Sequence, residues 1–147
     1  MLKGDLIHAD ILAALGKAGH GSKVLIADGN YPAGTTLGKN AELVSLNLAP
    51  GCLDCVTVLD ALLSAIVVEK AGVMATLKEG PYAMPDDPEI WDDFRKSLET
   101  AGYSDELEEI ERFAFYETAA GDDVALVIQT GEQRIYANLL LTIGVRM

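Results

Sequence analysis

Residues 19–33 read Gly19-His20-Gly21-Ser22-Lys23-Val24-Leu25-Ile26-Ala27-Asp28-Gly29-Asn30-Tyr31-Pro32-Ala33, a short apolar run flanked by glycine and polar residues. The aliphatic residues from Val24 to Ala27 predict a buried strand. The glycine and proline after Asp28 cannot continue a regular strand, so we expect the chain to turn away there and leave the carboxylate at the sheet rim. In sheets that are covered by helices, ligands bind where the strands end. We therefore expect His20 and Asp28 to face one pocket.

Helical and strand patterns alternate along the rest of the chain. Helices are predicted over Asp5 to Ala18 with Asp10 as the cap, over Asp54 to Val67 with Asp54 as the cap, and over Pro88 to Ala101. Strands are predicted over Leu43 to Leu48, Gly72 to Leu77, Glu109 to Tyr116, Val124 to Gln129 and Tyr136 to Ile143. This alternation predicts an α/β fold, a mixed sheet flanked by helices, in a single domain over residues 1–147.

Composition narrows the classes of partner. Half of the 147 residues are hydrophobic and the net charge is −12, which argues against binding to nucleic acid or to an anionic membrane surface. Apolar runs are too short to span a bilayer, and Met1-Leu2-Lys3-Gly4-Asp5 lacks the features of a secretion signal, so we expect a cytoplasmic protein. The sequence contains no phosphate loop, dinucleotide fingerprint or Gly-x-Ser-x-Gly elbow.

Cys52 and Cys55 form a Cys-x-x-Cys pair, which is compatible with a redox dithiol or with half of a zinc site. No second pair follows, and His8 and His20 are distant in sequence. The intervening Leu53-Asp54 differs from a thioredoxin-like motif, and Asp54 is better explained as a helix cap. We therefore interpret the pair as two half-buried structural thiols.

Several motifs in order along the chain resemble the fucose mutarotase and ribose pyranase family. They are Met1-Leu2-Lys3, Gly19-His20-Gly21, Ile26-Ala27-Asp28, Tyr31-Pro32-Ala33, Arg112-Phe113-Ala114-Phe115-Tyr116-Glu117, Thr130-Gly131-Glu132 and Tyr136-Ala137-Asn138. Each motif is weak alone, but their combination over nearly the whole chain is specific. The Arg112 to Glu117 stretch resembles the fucose branch, whereas Tyr136-Ala137-Asn138 has the alanine of the ribose branch.

The resemblance implies a mutarotase-like fold and an isomerase that interconverts anomers or ring forms of a free monosaccharide without a metal or an organic cofactor. It implies that His20 is the proton donor. It also implies a substrate site formed by Asp28, Arg112, Tyr116, Tyr136 and Asn138. Members of the family form ring-shaped homo-oligomers, often decamers, with sites between subunits. This arrangement would allow a neighbouring chain to supply Tyr136 and Asn138 to the site.

The residue types suit this chemistry. Opening a cyclic hemiacetal requires one proton to be delivered to the ring oxygen and another to be removed from the anomeric hydroxyl. An imidazole such as that of His20 is suited to two-way transfer at physiological pH. Tyr136 is a candidate second proton carrier, Asp28 and Asn138 can hold sugar hydroxyls, and Arg112 can polarise an oxygen or fix Asp28.

Structural explanations fit some of the same residues. His20 can be a turn histidine bonded to nearby backbone, and Arg112 can pair with Glu109 or Glu111 at the surface. Trp91, Phe94, Phe113 and Phe115 are predicted to be core rather than a sugar platform. Three functions remain open: an L-fucose-like mutarotase, a D-ribose pyranase, and a non-catalytic sugar-binding oligomer. A thiol oxidoreductase using Cys52 is the least favoured alternative.

Overall fold

The computed structural model describes residues 2–147. They form a mixed six-stranded sheet with helices packed against it. The helices are α1 (Ala9–Lys17), α2 (Cys55–Leu63), α3 (Glu89–Thr100) and α4 (Arg112–Ala119). The strands are β1 (Lys23–Ala27), β2 (Glu42–Ser45), β3 (Val68–Met74), β4 (Glu108–Ile110), β5 (Val124–Gln129) and β6 (Leu139–Ile143). The predicted α/β class with one mixed sheet is confirmed.

The sheet order is β2-β5-β1-β6-β3-β4. Strand β6 runs antiparallel to β1 and β3, and the other neighbouring pairs are parallel. Five strands therefore end at the same edge of the sheet, where β6 begins. We call this edge the carboxyl edge, and it is where ligands collect in α/β sheets.

Strand β1 lies inside the sheet and is covered on both faces. Val24 and Ile26 belong to the larger core, and Leu25 and Ala27 belong to the smaller one, as expected when successive side chains point to opposite faces. All four residues are fully buried, which explains the uninterrupted aliphatic run. The position of Asp28 at the carboxyl edge is thereby fixed by packing on both sides.

The two cores lie on opposite faces of the sheet. The larger one contains the apolar faces of α1, α2 and α3, with Trp91 and Phe94 of α3 fully buried. The smaller one contains Phe115 of α4 together with Tyr31, Met74 and Tyr136. Truncation of a buried aromatic residue to alanine costs about 3–5 kcal/mol, so these side chains carry much of the stability.

The predicted strand from Glu109 to Tyr116 is wrong. Strand β4 ends at Ile110, and the chain then enters α4, in which Phe115 is buried while Phe113 is 71% exposed. The Glu111 carboxylate accepts hydrogen bonds from the backbone N–H groups of Phe113 (2.9 Å) and Ala114 (3.1 Å). This cap satisfies donors at the start of the helix, and the alternating apolar residues did not reveal it.

Smaller differences concern element ends. The first helix begins at Ala9 with His8 at its N-cap, so the predicted cap at Asp10 is wrong. The predicted cap at Asp54 is confirmed, because its carboxylate accepts a hydrogen bond from the N–H of Thr57 at 2.7 Å. Every helix within residues 2–147 is too short or too polar to span a lipid bilayer.

Candidate functional site

A cleft of about 300 Å³ opens at the carboxyl edge of the sheet, near the lower end of the usual size range for small-molecule sites. Its lining comes from segments that meet at this edge: the turn after β1, the end of β3, the start of α4 and the approach to β6. The lining residues are Asp28, Asn30, Tyr31, Met74, Tyr82, Arg112, Tyr116, Ile135, Tyr136 and Asn138. Five of the six predicted site residues therefore line one cleft.

Asp28 and Asn138 form a buried pair in this cleft. The side-chain Nδ2 of Asn138 donates to Oδ2 of Asp28 at 2.9 Å, and Oδ1 of Asn138 accepts from the backbone N–H of Asp28 at 2.9 Å. Burial raises the pKa of the Asp28 carboxyl, although the hydrogen bonds from Asn30 and Asn138 oppose that shift. The carboxylate is thus held in a fixed orientation, where it can accept hydrogen bonds from hydroxyl groups.

Arg112 is half-buried and lines the same cleft. Within residues 2–147 no carboxylate lies within 4 Å of its guanidinium, so the alternative of a surface ion pair with Glu109 or Glu111 is wrong. Glu111 instead caps α4. The Arg112 guanidinium retains donors for an oxygen-rich ligand.

Tyr136 is held by its backbone and its hydroxyl. Its φ of 59° lies in the left-handed region, which is uncommon for residues other than glycine and occurs often at functional sites. Its hydroxyl donates to the carbonyl of Tyr82 at 2.9 Å and accepts from the N–H of Leu77 at 3.1 Å. Its own carbonyl accepts from Nε1 of Trp91 at 3.0 Å. The hydroxyl therefore fastens the segment after β3 to the cleft.

An ion pair between the buried Glu132 and the exposed Arg134 supports the turn that leads to Tyr136. Glu132 is 5% exposed and accepts from Nε and Nη2 of Arg134 at 3.0 and 2.8 Å, and Arg134 also bonds Asp93 of α3 at 2.9 Å. Burial alone would raise the pKa of Glu132, but the hydrogen bonds and charge of Arg134 lower it overall. The sequence interpretation saw only a turn here. A buried glutamate directly after Thr130 and Gly131 was not recognisable without its partners.

Cys55 lies beneath the same segment and is fully buried. Its thiol donates to the carbonyl of Ala137 at 3.2 Å and lies 3.3 Å from Oγ1 of Thr130. Burial raises the pKa of Cys55 to about 12, which keeps the thiol protonated and unreactive. Cys52 is exposed, so the interpretation of the pair as two half-buried thiols is wrong. The two cysteines occupy different environments, and a dithiol redox site is not favoured.

Tyrosines form the apolar wall of the cleft. Tyr31 and Tyr116 stack with ring centroids 5.5 Å apart, and Phe115 meets Tyr31 edge-on at 6.5 Å. Trp91, Phe94 and Phe115 are buried as predicted, whereas Phe113 is exposed, contrary to the prediction of a core position. The sequence motifs had not singled out Tyr31, Met74, Tyr82 or Ile135 as site residues.

His20 does not face this cleft within one chain, so the expectation that it shares a pocket with Asp28 is wrong for a single copy. The two residues lie beyond opposite ends of β1, whose five residues span roughly 16 Å. The His20 side chain is 59% exposed, and its Nε2 lies 2.8 Å from Oε2 of Glu69. The expectation that Tyr136 and Asn138 reach the site from another chain is also unnecessary, because both lie with Asp28.

These observations define a class: an α/β protein with a single mixed sheet and a hydrogen-bonding cleft of sugar size at the carboxyl edge. The model of the RbsD / FucU transport protein family matches residues 1–146, and the chain belongs to this family. It is a carbohydrate isomerase of the mutarotase type, a class that interconverts sugar anomers or ring forms.

Individual relatives agree with this assignment over nearly their whole lengths. The chain is 31% identical to the fucose mutarotase of Homo sapiens, over 98% of this chain and 94% of the relative. The crystal structure of the fucose mutarotase from Streptococcus pneumoniae in complex with L-fucose aligns with a TM-score of 0.80 at 25% identity, covering 96% of this chain and 95% of that one. Bacillus subtilis RbsD complexed with D-ribose aligns with a TM-score of 0.75 at 26% identity, covering both chains completely.

Proposed function

We propose that this protein is a cofactor-free mutarotase for a free monosaccharide similar to L-fucose. The observation that carries the proposal is the cleft in which the fixed Asp28–Asn138 pair and the unpaired Arg112 guanidinium lie beside an apolar tyrosine wall. Such a site can bind the hydroxyl-bearing and the apolar sides of a sugar at the same time. A relative of similar fold has L-fucose bound, which supports the choice of substrate.

The reaction needs only proton transfers. A proton moves to the ring oxygen while the anomeric hydroxyl loses its proton, the bond between the anomeric carbon and the ring oxygen breaks, and the open-chain aldehyde forms. Rotation of the aldehyde followed by the reverse transfers closes the ring on the other face. Mutarotation over hours corresponds to an uncatalysed barrier of roughly 23 kcal/mol, and acid–base catalysis lowers such a barrier by about 3–5 kcal/mol.

Each site residue has a role in this proposal. Asp28 and Asn138 bind sugar hydroxyls, and the unpaired guanidinium of Arg112 stabilises negative charge that develops on an oxygen. Tyr116 contributes to the apolar wall. Tyr136 fastens the segment after β3 to the cleft. Its hydroxyl donates to Tyr82 and accepts from Leu77, so its remaining lone pair can accept a hydrogen bond from a sugar hydroxyl. A proton-carrying role for Tyr136 stays a prediction.

His20 is proposed as the general acid and base, supplied to the cleft by a neighbouring copy of the chain. Within one copy it is exposed and lies at the opposite edge of the sheet, so a homo-oligomer is required for it to meet Asp28. Glu69 bonds its Nε2, and this contact leaves Nδ1 for the sugar. A ring-shaped assembly such as a decamer would repeat this arrangement at every interface.

D-Ribose is the alternative substrate, favoured by the RbsD relative that binds it. A protein that binds sugar without turning it over is the second alternative. We further propose that the protein works in the cytoplasm, where both of its free cysteines would remain reduced.

Saturation-transfer NMR tests the proposal, because it measures exchange between the α and β anomers of L-fucose, and between the pyranose and furanose forms of D-ribose, without any coupled enzyme. We expect the protein to accelerate exchange for L-fucose and the His20→Gln variant to return it to the background rate. Lys17→Gln is the matched control, since Lys17 makes an exposed surface ion pair away from the cleft. Background exchange with the wild-type protein, or full activity of His20→Gln, would contradict the proposal.

A further inference from the structure

The segment between β3 and α3, residues 75–88, borders the cleft through Tyr82. This residue lines the cleft, and its side chain is 64% exposed. The aromatic pairs found within residues 2–147 join Tyr31 to Phe115 and to Tyr116, and Tyr82 belongs to neither pair. A large aromatic side chain thus lines the cleft and stays largely exposed, without aromatic packing of its own.

Hydrogen bonds hold this part of the segment in place. The carbonyl of Tyr82 accepts from the buried Tyr136 hydroxyl at 2.9 Å. The N–H of Met84 donates to the carbonyl of Leu77 at 2.8 Å, and the N–H of Leu77 donates to the same Tyr136 hydroxyl. Nζ of Lys78 donates to Oγ1 of Thr76 at 2.8 Å, and it also reaches the carbonyl of Met84 at 3.4 Å. The exposure of Tyr82 therefore occurs on a segment that is fixed to the site.

We propose that Tyr82 is a specificity-determining residue whose ring contacts the apolar part of the bound sugar together with Tyr31 and Tyr116, which line the same cleft. This inference rests on the proposed function and adds which part of the substrate is selected. The hydroxyl groups bind Asp28 and Asn138, and the C–H face and exocyclic methyl group bind the tyrosines. A rigid aromatic ring provides such contact at a low cost in conformational entropy.

The two candidate sugars differ in the group that this ring would contact. L-Fucose carries an apolar methyl group on its pyranose ring, whereas the pyranose form of D-ribose has no exocyclic carbon. Loss of the Tyr82 ring is therefore expected to weaken binding of L-fucose more than binding of D-ribose. The hydroxyl of Tyr82 has no part in this contact, so removing it alone is expected to change little.

The test compares Tyr82→Ala and Tyr82→Phe with the wild-type protein, using calorimetry for the dissociation constant and saturation-transfer NMR for kcat and KM. Phe113→Ala is the matched control, because Phe113 is 71% exposed and does not line the cleft. We expect Tyr82→Ala to raise Kd and KM for L-fucose about 3- to 10-fold and those for D-ribose less than about twofold, with kcat nearly unchanged. Phe113→Ala is expected to match the wild type, and Tyr82→Phe, which keeps the ring, is expected to recover most of the L-fucose affinity that Tyr82→Ala loses.

Equal Kd values for L-fucose in Tyr82→Ala and Phe113→Ala would overturn the inference, and so would equal weakening for both sugars. Binding is measured separately from turnover, so the two proposals fail in different ways. If the wild-type protein binds L-fucose but leaves its anomer exchange at the background rate, the proposed mutarotase function is refuted. The role of Tyr82 is then decided by the Kd values of its variants. A wild-type protein that binds neither sugar would refute both.

Discussion

Replacement of Asn138 by aspartate is expected to make the stability of the protein strongly dependent on pH. Asn138 and Asp28 are 5% and 3% exposed, and Nδ2 of Asn138 donates to Oδ2 of Asp28 at 2.9 Å. In Asn138→Asp, one new oxygen can still accept from the N–H of Asp28, but the other faces the Asp28 carboxylate. Two ionised carboxylates cannot share so small a buried space without strong repulsion.

The size of the effect follows from the geometry. Two unit charges about 4 Å apart in an effective dielectric constant of about 20 repel by about 4 kcal/mol. A single shared proton removes this repulsion and restores a donor between the two carboxylates. The pair therefore has a raised pKa in the folded state. Its stabilisation is fully present below the ordinary carboxyl pKa and is lost as the pH rises through the raised value.

Urea unfolding at about pH 3.5, which lies below the ordinary carboxyl pKa of about 3.9, and at about pH 8.5 measures the difference. We expect the variant to be close to the wild type at the lower pH and to lose about 4 kcal/mol at the higher pH, a fall in Tm of about 10 °C. Asn47→Asp is the control, since Asn47 is exposed and its change should alter stability little at either pH. The same loss at both pH values would refute the reasoning.

Three further predictions concern the surroundings of the cleft. Glu132→Gln should lower the free energy of unfolding by about 2 kcal/mol at neutral pH. Because the folded-state pKa of Glu132 is lowered from 4.5, this deficit should disappear as the pH falls well below 4.5, which urea unfolding at about pH 7 and about pH 3 would reveal. Gly131→Ala should lower the free energy of unfolding by about 2 kcal/mol or more, because the new Cβ would clash with the carbonyl oxygen of Cys52. Gly16→Ala in α1, which has open space around it, should stabilise the protein slightly. Equal melting temperatures for the two variants would contradict this prediction. Arg112→Met should reduce the rate of exchange between sugar anomers at least about tenfold, because the guanidinium lines the cleft. It should change Tm by less than about 2 °C, because no ion pair is lost. A large fall in Tm would indicate a structural role instead.

The sequence predicted best those elements whose patterns are set by burial alone. The strand from Val124 to Gln129 was predicted with the bounds that the structure has, and the strand from Val24 to Ala27 differs by one residue. Both are mainly aliphatic runs inside the sheet, where strands covered on both faces bury nearly all of their side chains. Alternation failed at α4 because Glu111 supplies the first hydrogen bonds of a helix, an interaction that hydrophobic periodicity does not detect.

The candidate site was only partly predictable. Motif resemblance identified the polar residues, and the rule about strand ends placed Asp28. The sequence analysis misplaced His20 because His20 and Asp28 lie beyond opposite ends of β1, and the length of that strand separates them. Tyr82 and Met74 were missed because they belong to segments without a motif, and only the fold brings them to the carboxyl edge.

Mixing two inactive variants tests the central claim most directly, namely that His20 of one copy completes the cleft of another. His20→Gln and Arg112→Met would be unfolded together in urea, refolded as a mixture, and assayed for L-fucose anomer exchange by saturation-transfer NMR. If each site combines residues of two copies, about one quarter of the sites regain both residues, and exchange returns to about one quarter of the wild-type rate. Exchange no higher than the average of the two separately refolded variants would contradict the shared site.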